Sequence, residues 1–199
     1  MSGQENISTL TLYKNLLIRL RNLILRPASE WEKIESEDKK LNNILSEFSL
    51  PLIAVVTLAT FLDYIINYQG FAVELALKQS LATFTSLFGG LYLAYLTLKF
   101  LLPYFGIAAT NDYSFALAAY SSGLWYLINL ISSLIPELLF LQLFSLYTLY
   151  IVWTQLELRV TRGLIIGKPQ RLLLTVLITI IIHILPYLIW LFLLKLISL

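Results

Sequence analysis

The chain has 199 residues, of which 58% are hydrophobic and 13% are charged, and its formal net charge is +2. Soluble domains carry about 25% charged residues, so this composition excludes a single water-soluble core and indicates an integral membrane protein. Nucleic acid is not an expected partner, because the basic residues are scattered and offset by twelve acidic ones, and the absence of cysteine excludes disulfides and thiolate sites.

The first predicted helix covers about residues 9–25 and is amphipathic. Its leucines fall on one arc of a helical wheel, with Lys14 and Arg21 at one edge and Arg19 and Arg26 at the other. A helix of this kind either lies flat in the cytoplasmic membrane interface, with its cations among the headgroups, or packs against the ends of a helix bundle. The sequence leaves both alternatives open.

Pro27 ends that helix, and a second, short helix is predicted over about residues 29–38. Ser29 and Glu32 have the spacing of a capping box at its N-terminus. Trp31 and Ile34 give this helix an apolar edge that can dock on the first helix or on the bilayer surface. Residues 35–40 are expected to remain in water.

Five later segments are long and apolar enough to cross a bilayer, whose hydrocarbon core requires ~20 apolar helical residues. They cover about residues 48–66, 79–98, 114–135, 138–156 and 172–194, and their only Asp, Glu, Lys or Arg is Asp63. The predicted fold is therefore all-α: a five-helix transmembrane domain (48–199) after a cytoplasmic N-terminal region (1–47). No cleaved leader is expected, so the first span is expected to act as the insertion signal.

The distribution of basic residues predicts the orientation of the chain. An N-terminus in the cytoplasm places twelve of the fourteen Lys and Arg residues on the cytoplasmic side, and leaves only Lys78 and Lys195 outside. The predicted topology therefore has the N-terminus inside and the C-terminus outside.

Several short motifs resemble those of a known family. Pro27, Trp31 and Ile34 form a Pro-x-x-x-Trp-x-x-Ile pattern shortly before a span that opens near Pro51, which is similar to the opening of bacterial Yip1-domain proteins. The runs at residues 118–122 and 146–150 and the five spans are similar to that domain as well. The resemblance covers nearly the whole chain and implies a protein of the bacterial cytoplasmic (inner) membrane. The eukaryotic relatives act in traffic between ER and Golgi and associate with Rab GTPases, but their Asp-Leu-Tyr-Gly-Pro motif is absent here, so the resemblance implies an architecture more than an activity.

Two polar residues inside the predicted spans are candidates for function, because burying such groups in a membrane is costly. Asp63 lies one turn from the outer end of its span, where it either reaches water or Lys78, bonds another helix, or serves a substrate or ion. His183 lies midway through the last span, three residues before Pro186. It is either a neutral imidazole bonded to Ser, Thr, Tyr or the Ile182 carbonyl, or a proton relay or ligand site.

Small residues recur at every fourth position in two of the spans, which permits close helix packing in lipid. They are Ser86, Gly90 and Ala94 in the second span, and Ala119 and Gly123 in the third. The second and third spans are therefore predicted to touch along these faces, although the same faces could build a homodimer.

The chain lacks the residue patterns that an enzyme requires. It has one histidine and no cysteine, and it contains no Gly-rich phosphate loop and no helical metal-ligand pair. No enzymatic activity, cofactor or metal is expected, and the expected partners are the lipid bilayer with either other membrane proteins or a second copy of the chain.

Two functions are therefore predicted, in order. The first is a scaffold or partner-binding protein in membrane organisation or trafficking, and the second is a small-solute or ion permease that uses Asp63 and His183. A polar cavity joining these two residues would favour the permease, whereas a dry bundle would favour the scaffold.

Overall fold

A computed structural model describes residues 9–67 and 73–197, and this part of the chain is all-helical. Two short helices come first, α1 (Thr9–Leu25) and α2 (Pro27–Glu37). Five helices long and apolar enough to cross a membrane follow: α3 (Leu41–Asn67), α4 (Val73–Phe105), α5 (Asn111–Leu134), α6 (Pro136–Thr161) and α7 (Lys168–Ile197). The predicted all-α, five-span fold is confirmed, and the protein is an integral multi-pass membrane protein. Residues 1–8 of the predicted N-terminal region and 198–199 of the predicted transmembrane domain lie outside the described part.

Successive spans run in opposite directions, so the bundle has two ends. We call the end that carries Leu41, Asn111 and Lys168 the capped end, because α2 packs there, and the end that carries Asn67 and Leu134 the open end. At the capped end each helix extends three to seven residues beyond its predicted span. The extensions carry charged residues that hydropathy excludes from a span, and many of these are paired with one another.

The start of α2 differs from the prediction. The helix begins at Pro27, whose missing amide hydrogen costs nothing at a first helical position. Ser29 is therefore already inside the first turn, where its hydroxyl donates to the Arg26 carbonyl at 3.1 Å. The predicted capping box between Ser29 and Glu32 does not form, because no side chain caps this helix.

Two of the spans depart from α-helical geometry. In α3 a π-helical turn occupies Leu45–Ser49, just before Pro51. Because proline has no backbone N–H to donate, the regular helical hydrogen-bond pattern is interrupted near this position. In α6 the first twelve residues, Pro136–Tyr147, have 3-10 geometry that is interrupted by a kink at Leu138, where the backbone is not helical. Runs of 3-10 helix beyond three or four residues are uncommon. Hydropathy identified α6 as a span but could not reveal this change of helix type.

The central element of the bundle is α5, which contacts α1 and all four other spans. Every residue from 114 to 124 is buried, on all sides of the helix. A helix enclosed in this way needs small side chains so that its neighbours can approach, and the sequence supplies them: Ala116, Ala118, Ala119, Ser121, Ser122 and Gly123.

The glycines of the second and third spans pack against helices other than those predicted. A Cβ atom added to Gly90 would lie 2.3 Å from Pro186 Cγ and 2.7 Å from Pro186 Cα, so α4 meets α7 here at backbone distance. A Cβ on Gly123 would lie 2.9 Å from Phe48 Cζ and 3.0 Å from a methyl group of Leu20. Helices α4 and α5 do touch, but through larger side chains, including the Tyr126 hydroxyl that donates to the Leu87 carbonyl at 3.3 Å.

The amphipathic α1 uses one edge of its leucine arc to pack on the bundle. Leu16, Leu20 and Leu23 are buried, whereas Leu10 and Leu17 are 82% and 59% exposed. Of the two alternatives for α1, packing against the bundle therefore applies to the edge formed by Leu16, Leu20 and Leu23. The second edge stays open, and its leucines lie beside Lys14 and Arg21, as an interfacial helix requires.

The contact between Gly90 and Pro186 generates a stability prediction. Gly90→Ala should lower the free energy of unfolding by about 1–3 kcal/mol, because the new methyl group overlaps the Pro186 backbone and forces α4 and α7 apart. Gly89→Ala is the matched control, since its Cβ would lie 3.4 Å from Ile189 Cδ1, at ordinary contact distance. Thermal unfolding in one detergent should show a lower Tm for Gly90→Ala only. Equal Tm values for the two variants would contradict the close packing of α4 on α7.

Candidate functional site

A cleft with a volume of about 480 Å³ and a mixed wall of polar and apolar side chains lies in the open half of the bundle, and all five spans contribute to its wall. From α3 to α7 the lining residues are Val56, Thr60, Asp63, Tyr64, Gln79, Thr83, Ser86, Leu87, Trp125, Asn129, Ser133, Leu139, Gln142, Pro186, Tyr187 and Trp190. The volume is in the range of about 300–1,000 Å³ that is usual for small-molecule sites. Polar groups converge here from helices that are far apart in sequence.

Except for Ser86, which was predicted only to pack against another helix, the uncharged polar residues of this wall were missed by the sequence analysis. They do follow a helical pattern. Gln79, Thr83 and Ser86 lie on one face of α4, and Asn129 and Ser133 lie one turn apart on α5. A search for polar stripes at helical spacing would have found each set, but only the fold brings the sets together.

Asp63 lies in the cleft and has a neutral partner. Its Oδ1 accepts a hydrogen bond from Asn67 Nδ2 at 2.6 Å. Of the alternatives for Asp63, the pairing with Lys78 does not occur, because Lys78 forms an ion pair with Glu74, four residues earlier, at 2.7 Å. Within the described chain no basic side chain lies within ion-pair distance of Asp63.

His183 lies behind the wall of the cleft rather than in it. Its ring is 5.4 Å from that of Trp125, which does line the cleft. Nδ1 is 2.8 Å from the Thr179 carbonyl, an acceptor, so Nδ1 carries the hydrogen. Of the predicted partners, Ser, Thr, Tyr or the Ile182 carbonyl, the imidazole thus bonds a threonine, through its backbone oxygen. Nε2 is buried without a hydrogen-bond partner among the described residues.

The cleft does not continue towards the capped end. Below it α4 and α7 are in contact at Gly90 and Pro186, and the central part of α5 is buried on every side. A cavity therefore exists at Asp63, but it does not join Asp63 to His183 as the permease prediction required, because the ring of Trp125 lies between His183 and the cleft.

The three residues that carry the family resemblance form the buried edge of α2. Pro27, Trp31 and Ile34 are spaced i, i+4 and i+7, and all three are buried. Trp31 is 1% exposed, its indole N–H donates to the Ile151 carbonyl of α6 at 2.9 Å, and its ring meets Tyr120 edge-on at 6.1 Å. The tryptophan therefore attaches α2 to both α5 and α6.

The N-terminal region packs along α6 through one face. At the end of α1, the Ile24 carbonyl accepts from the Tyr147 hydroxyl, and in α2 Trp31 bonds Ile151 and Glu35 pairs with Arg159, so successive residues follow α6 towards the capped end. Ile151 lies ten residues from the end of α6 at Thr161, which is about 15 Å along a helix. The opposite face of α2 is exposed, and we call this N-terminal segment the wedge.

Charged side chains of the capped end are paired with each other, which the sequence analysis did not predict. Glu35, with a side chain only 9% exposed, pairs with Arg159 at 2.8 Å and with Arg162. Arg19 pairs with Glu30 at 2.7 Å and with Glu37, and Lys39 pairs with Glu47. The expectation that residues 35–40 remain in water holds for Ser36, Asp38 and Lys40, which are exposed. It is wrong for Glu35, Glu37 and Lys39, which are partly buried in ion pairs that join α2 to α1, α3 and α6.

The charge of Arg19 is secured by its surroundings. Burial alone lowers the pKa of its guanidinium, but the hydrogen bond to Glu37 and the electrostatic effects of Tyr120, Glu37 and Glu30 outweigh burial, so the pKa is raised. Arg19 is therefore a permanent cation between α1 and α2.

Among the described residues, no group of three His, Cys, Asp or Glu side chains is placed to hold a metal ion.

The role of Trp31 in holding α2 can be tested by proteolysis. Trp31→Ala should speed trypsin cleavage after Lys39 and Lys40, because an unseated α2 frees the link to α3, and the lost packing should cost about 3–5 kcal/mol. Trp31→Phe keeps a ring but removes the N–H donor, and should cost about 1 kcal/mol through the hydrogen bond. Glu32→Ala, on the exposed side of α2, is the control. Cleavage at one rate in all three variants would show that Trp31 does not anchor the wedge.

Comparison with known proteins does not add to these features, because no family model, no curated protein and no solved structure matches the chain. Its function is therefore inferred from the cleft and the capped end themselves.

Proposed function

We propose that the protein is a non-enzymatic solute-binding protein of permease type, which holds a small molecule in the five-helix cleft of its open half. The observation that carries this proposal is the cleft itself, because all five spans contribute to its wall and several of them bring polar side chains, whereas a dry bundle would have none. Of the two residues predicted for a permease, the proposal keeps Asp63 and leaves out His183, which does not line the cleft. This reverses the order favoured by sequence alone, in which the scaffold came first.

The form of α6 supports movement at the cleft. Leu139 and Gln142, which belong to its 3-10 helical half, contribute to the wall, and Gln142 donates to Asn129 of α5 at 3.4 Å. Long 3-10 stretches within a helix often mark hinges. A rearrangement of this half would open or close one wall while the capped end stays fixed.

The cellular setting is part of the proposal. The distribution of Lys and Arg favours a cytoplasmic capped end and an outward-facing cleft, and the resemblance to bacterial Yip1-domain proteins favours the cytoplasmic membrane. Six of the basic residues at the capped end also form ion pairs there: Arg19, Lys39, Lys40, Arg159, Arg162 and Arg171.

A scaffold is the second candidate, and the capped end is the observation that favours it. The ion pairs and Trp31 fix α2 on the bundle, so that Glu32, Lys33 and Ser36 form an exposed polar surface on a rigid support. Such a surface is suited to bind a partner protein, but a scaffold role does not explain the presence of the cleft.

Solute binding can be tested by thermal unfolding with a panel of small sugars, amines, amino acids and carboxylates. At least one should raise the Tm of the wild-type protein, because a ligand at one hundred times its Kd adds about 2.7 kcal/mol. Thr83→Phe should abolish that shift by filling the cleft, whereas Leu81→Phe, on a face that is 67% exposed, should retain it. A panel without effect on the wild type, or with equal effects on all three proteins, would favour the scaffold.

The orientation can be tested by labelling single cysteines in intact cells, since the natural chain has none. An impermeant maleimide should label Pro136→Cys at the open end and should not label Gly167→Cys at the capped end. Both positions are exposed, so access to the reagent depends on the side of the membrane. Labelling of Gly167→Cys alone would reverse the proposed topology.

A further inference from the structure

We propose that the ligand of the cleft is a small organic cation, held through an alkylammonium group with Asp63 as its counter-ion. The inference rests on the solute-binding function proposed above and assigns the chemical class of the solute. Three properties of the wall carry it: its charge, its aromatic rings and its uncharged hydrogen-bonding groups.

The charge of the wall favours a cation. Asp63 is the one formally charged residue among those that line the cleft, and its hydrogen-bond partner Asn67 is neutral. Lys78, the nearest basic residue in sequence, is paired with Glu74, and residues 68–72, which follow Asn67, contain no charged residue. No basic side chain of the described residues lies within ion-pair distance of Asp63, so an anionic solute would meet an unpaired negative charge, whereas a cation would pair with it.

The aromatic residues favour an organic cation over an inorganic one. Trp125, Tyr64, Tyr187 and Trp190 line the cleft, and the rings of the last two stack with centroids 6.1 Å apart. Ammonium groups are attracted to the faces of tryptophan and tyrosine rings, and quaternary ammonium ligands are commonly held by several of them. A carboxylate beside aromatic rings provides both halves of such a site.

The remaining polar groups argue against a bare metal ion. Calcium takes six to eight oxygen ligands, with carboxylates prominent among them, and one carboxylate does not supply that set. The hydroxyls of Thr60 and Thr83 and the amides of Gln79 and Asn129 suit N–H or O–H groups of an organic molecule. The volume of about 480 Å³ admits a molecule larger than a single ion.

An alkylammonium group has two sources at a membrane. It is carried by soluble amines such as choline, and by the headgroup of phosphatidylethanolamine. The chemistry that Asp63 and the rings recognise is the same in both, so the experiment must present each source separately.

The soluble source is tested on the purified full chain in nanodiscs of phosphatidylglycerol, which contain no ammonium group. Choline is titrated against its uncharged carbon isostere 3,3-dimethyl-1-butanol, with tryptophan fluorescence as the readout because Trp125 and Trp190 line the cleft. Choline should bind saturably and at least tenfold more tightly than the isostere. Asp63→Asn should weaken choline binding at least tenfold and leave the isostere unchanged, whereas Glu137→Gln, an exposed carboxylate outside the cleft, should leave both unchanged.

The lipid source is tested by replacing half of the phosphatidylglycerol with phosphatidylethanolamine. If the headgroup is the occupant, the Tm of the wild-type protein rises in these discs, that of Asp63→Asn does not, and choline competes poorly. Either this pattern or the soluble one supports the alkylammonium site and identifies its source.

Several outcomes would overturn the inference. Equal binding of choline and the isostere would reject the cation and leave solute binding in the cleft intact. Choline and lipid effects that Asp63→Asn does not change would place any site elsewhere, and absence of binding by every solute of the panel would remove the proposed function as well. If Asp63→Asn does not elute as a folded protein, Tyr187→Leu replaces it, because this variant removes a ring of the cleft but keeps both reporter tryptophans, and the same loss of choline binding is expected.

Discussion

The enclosure of α5 is the constraint on which the other helices depend. A transmembrane helix surrounded by protein on every side cannot carry large side chains where its neighbours approach, because lipid provides no hydrophobic force to drive helices together and close contact must do so. The run from Ser114 to Gly123 meets that condition with alanine, serine and glycine at seven of its ten positions. Towards the open end the same helix contributes Trp125, Asn129 and Ser133 to the wall of the cleft.

The sequence was sufficient to predict the elements but not their partners. Hydropathy identified the five spans because the hydropathy of a segment depends only on that segment's own residues. Partners depend on the whole bundle, and so Gly90 meets Pro186 of the last span rather than a residue of the third. The capping box failed for a local reason, since Pro27 is itself a sufficient first residue and left Ser29 inside the helix. Asp63 was recognised as a candidate because a charge in a span is conspicuous, whereas Thr83 and Gln142 were not, because a single neutral polar residue is ordinary in a membrane helix.

The two ends of the bundle treat their polar residues differently. At the capped end each buried charge has partners of opposite sign, as Glu35 has in Arg159 and Arg162, so these groups stabilise the fold and have little capacity left for a ligand. In the cleft Asp63 has one neutral partner, and its remaining oxygen lone pairs are free to accept from a solute. The charges at the capped end are paired and stabilise the fold, whereas the charge of Asp63 has no opposite charge beside it. The structural part of the molecule and its candidate binding site therefore lie at opposite ends of the bundle.

The attachment of Trp31 to Ile151 has a consequence for how the protein is made. The two residues are 120 positions apart, and chains grow at roughly 5–20 residues per second, so α2 is complete about 6–24 s before its site on α6 has been synthesised. During that interval the N-terminal wedge must wait outside a bundle whose first spans are already in the bilayer. The amphipathic α1, with leucines and cations on one surface, is suited to hold the waiting segment at the membrane. Final closure of the capped end is thus a late, post-insertion step that depends on the fourth span.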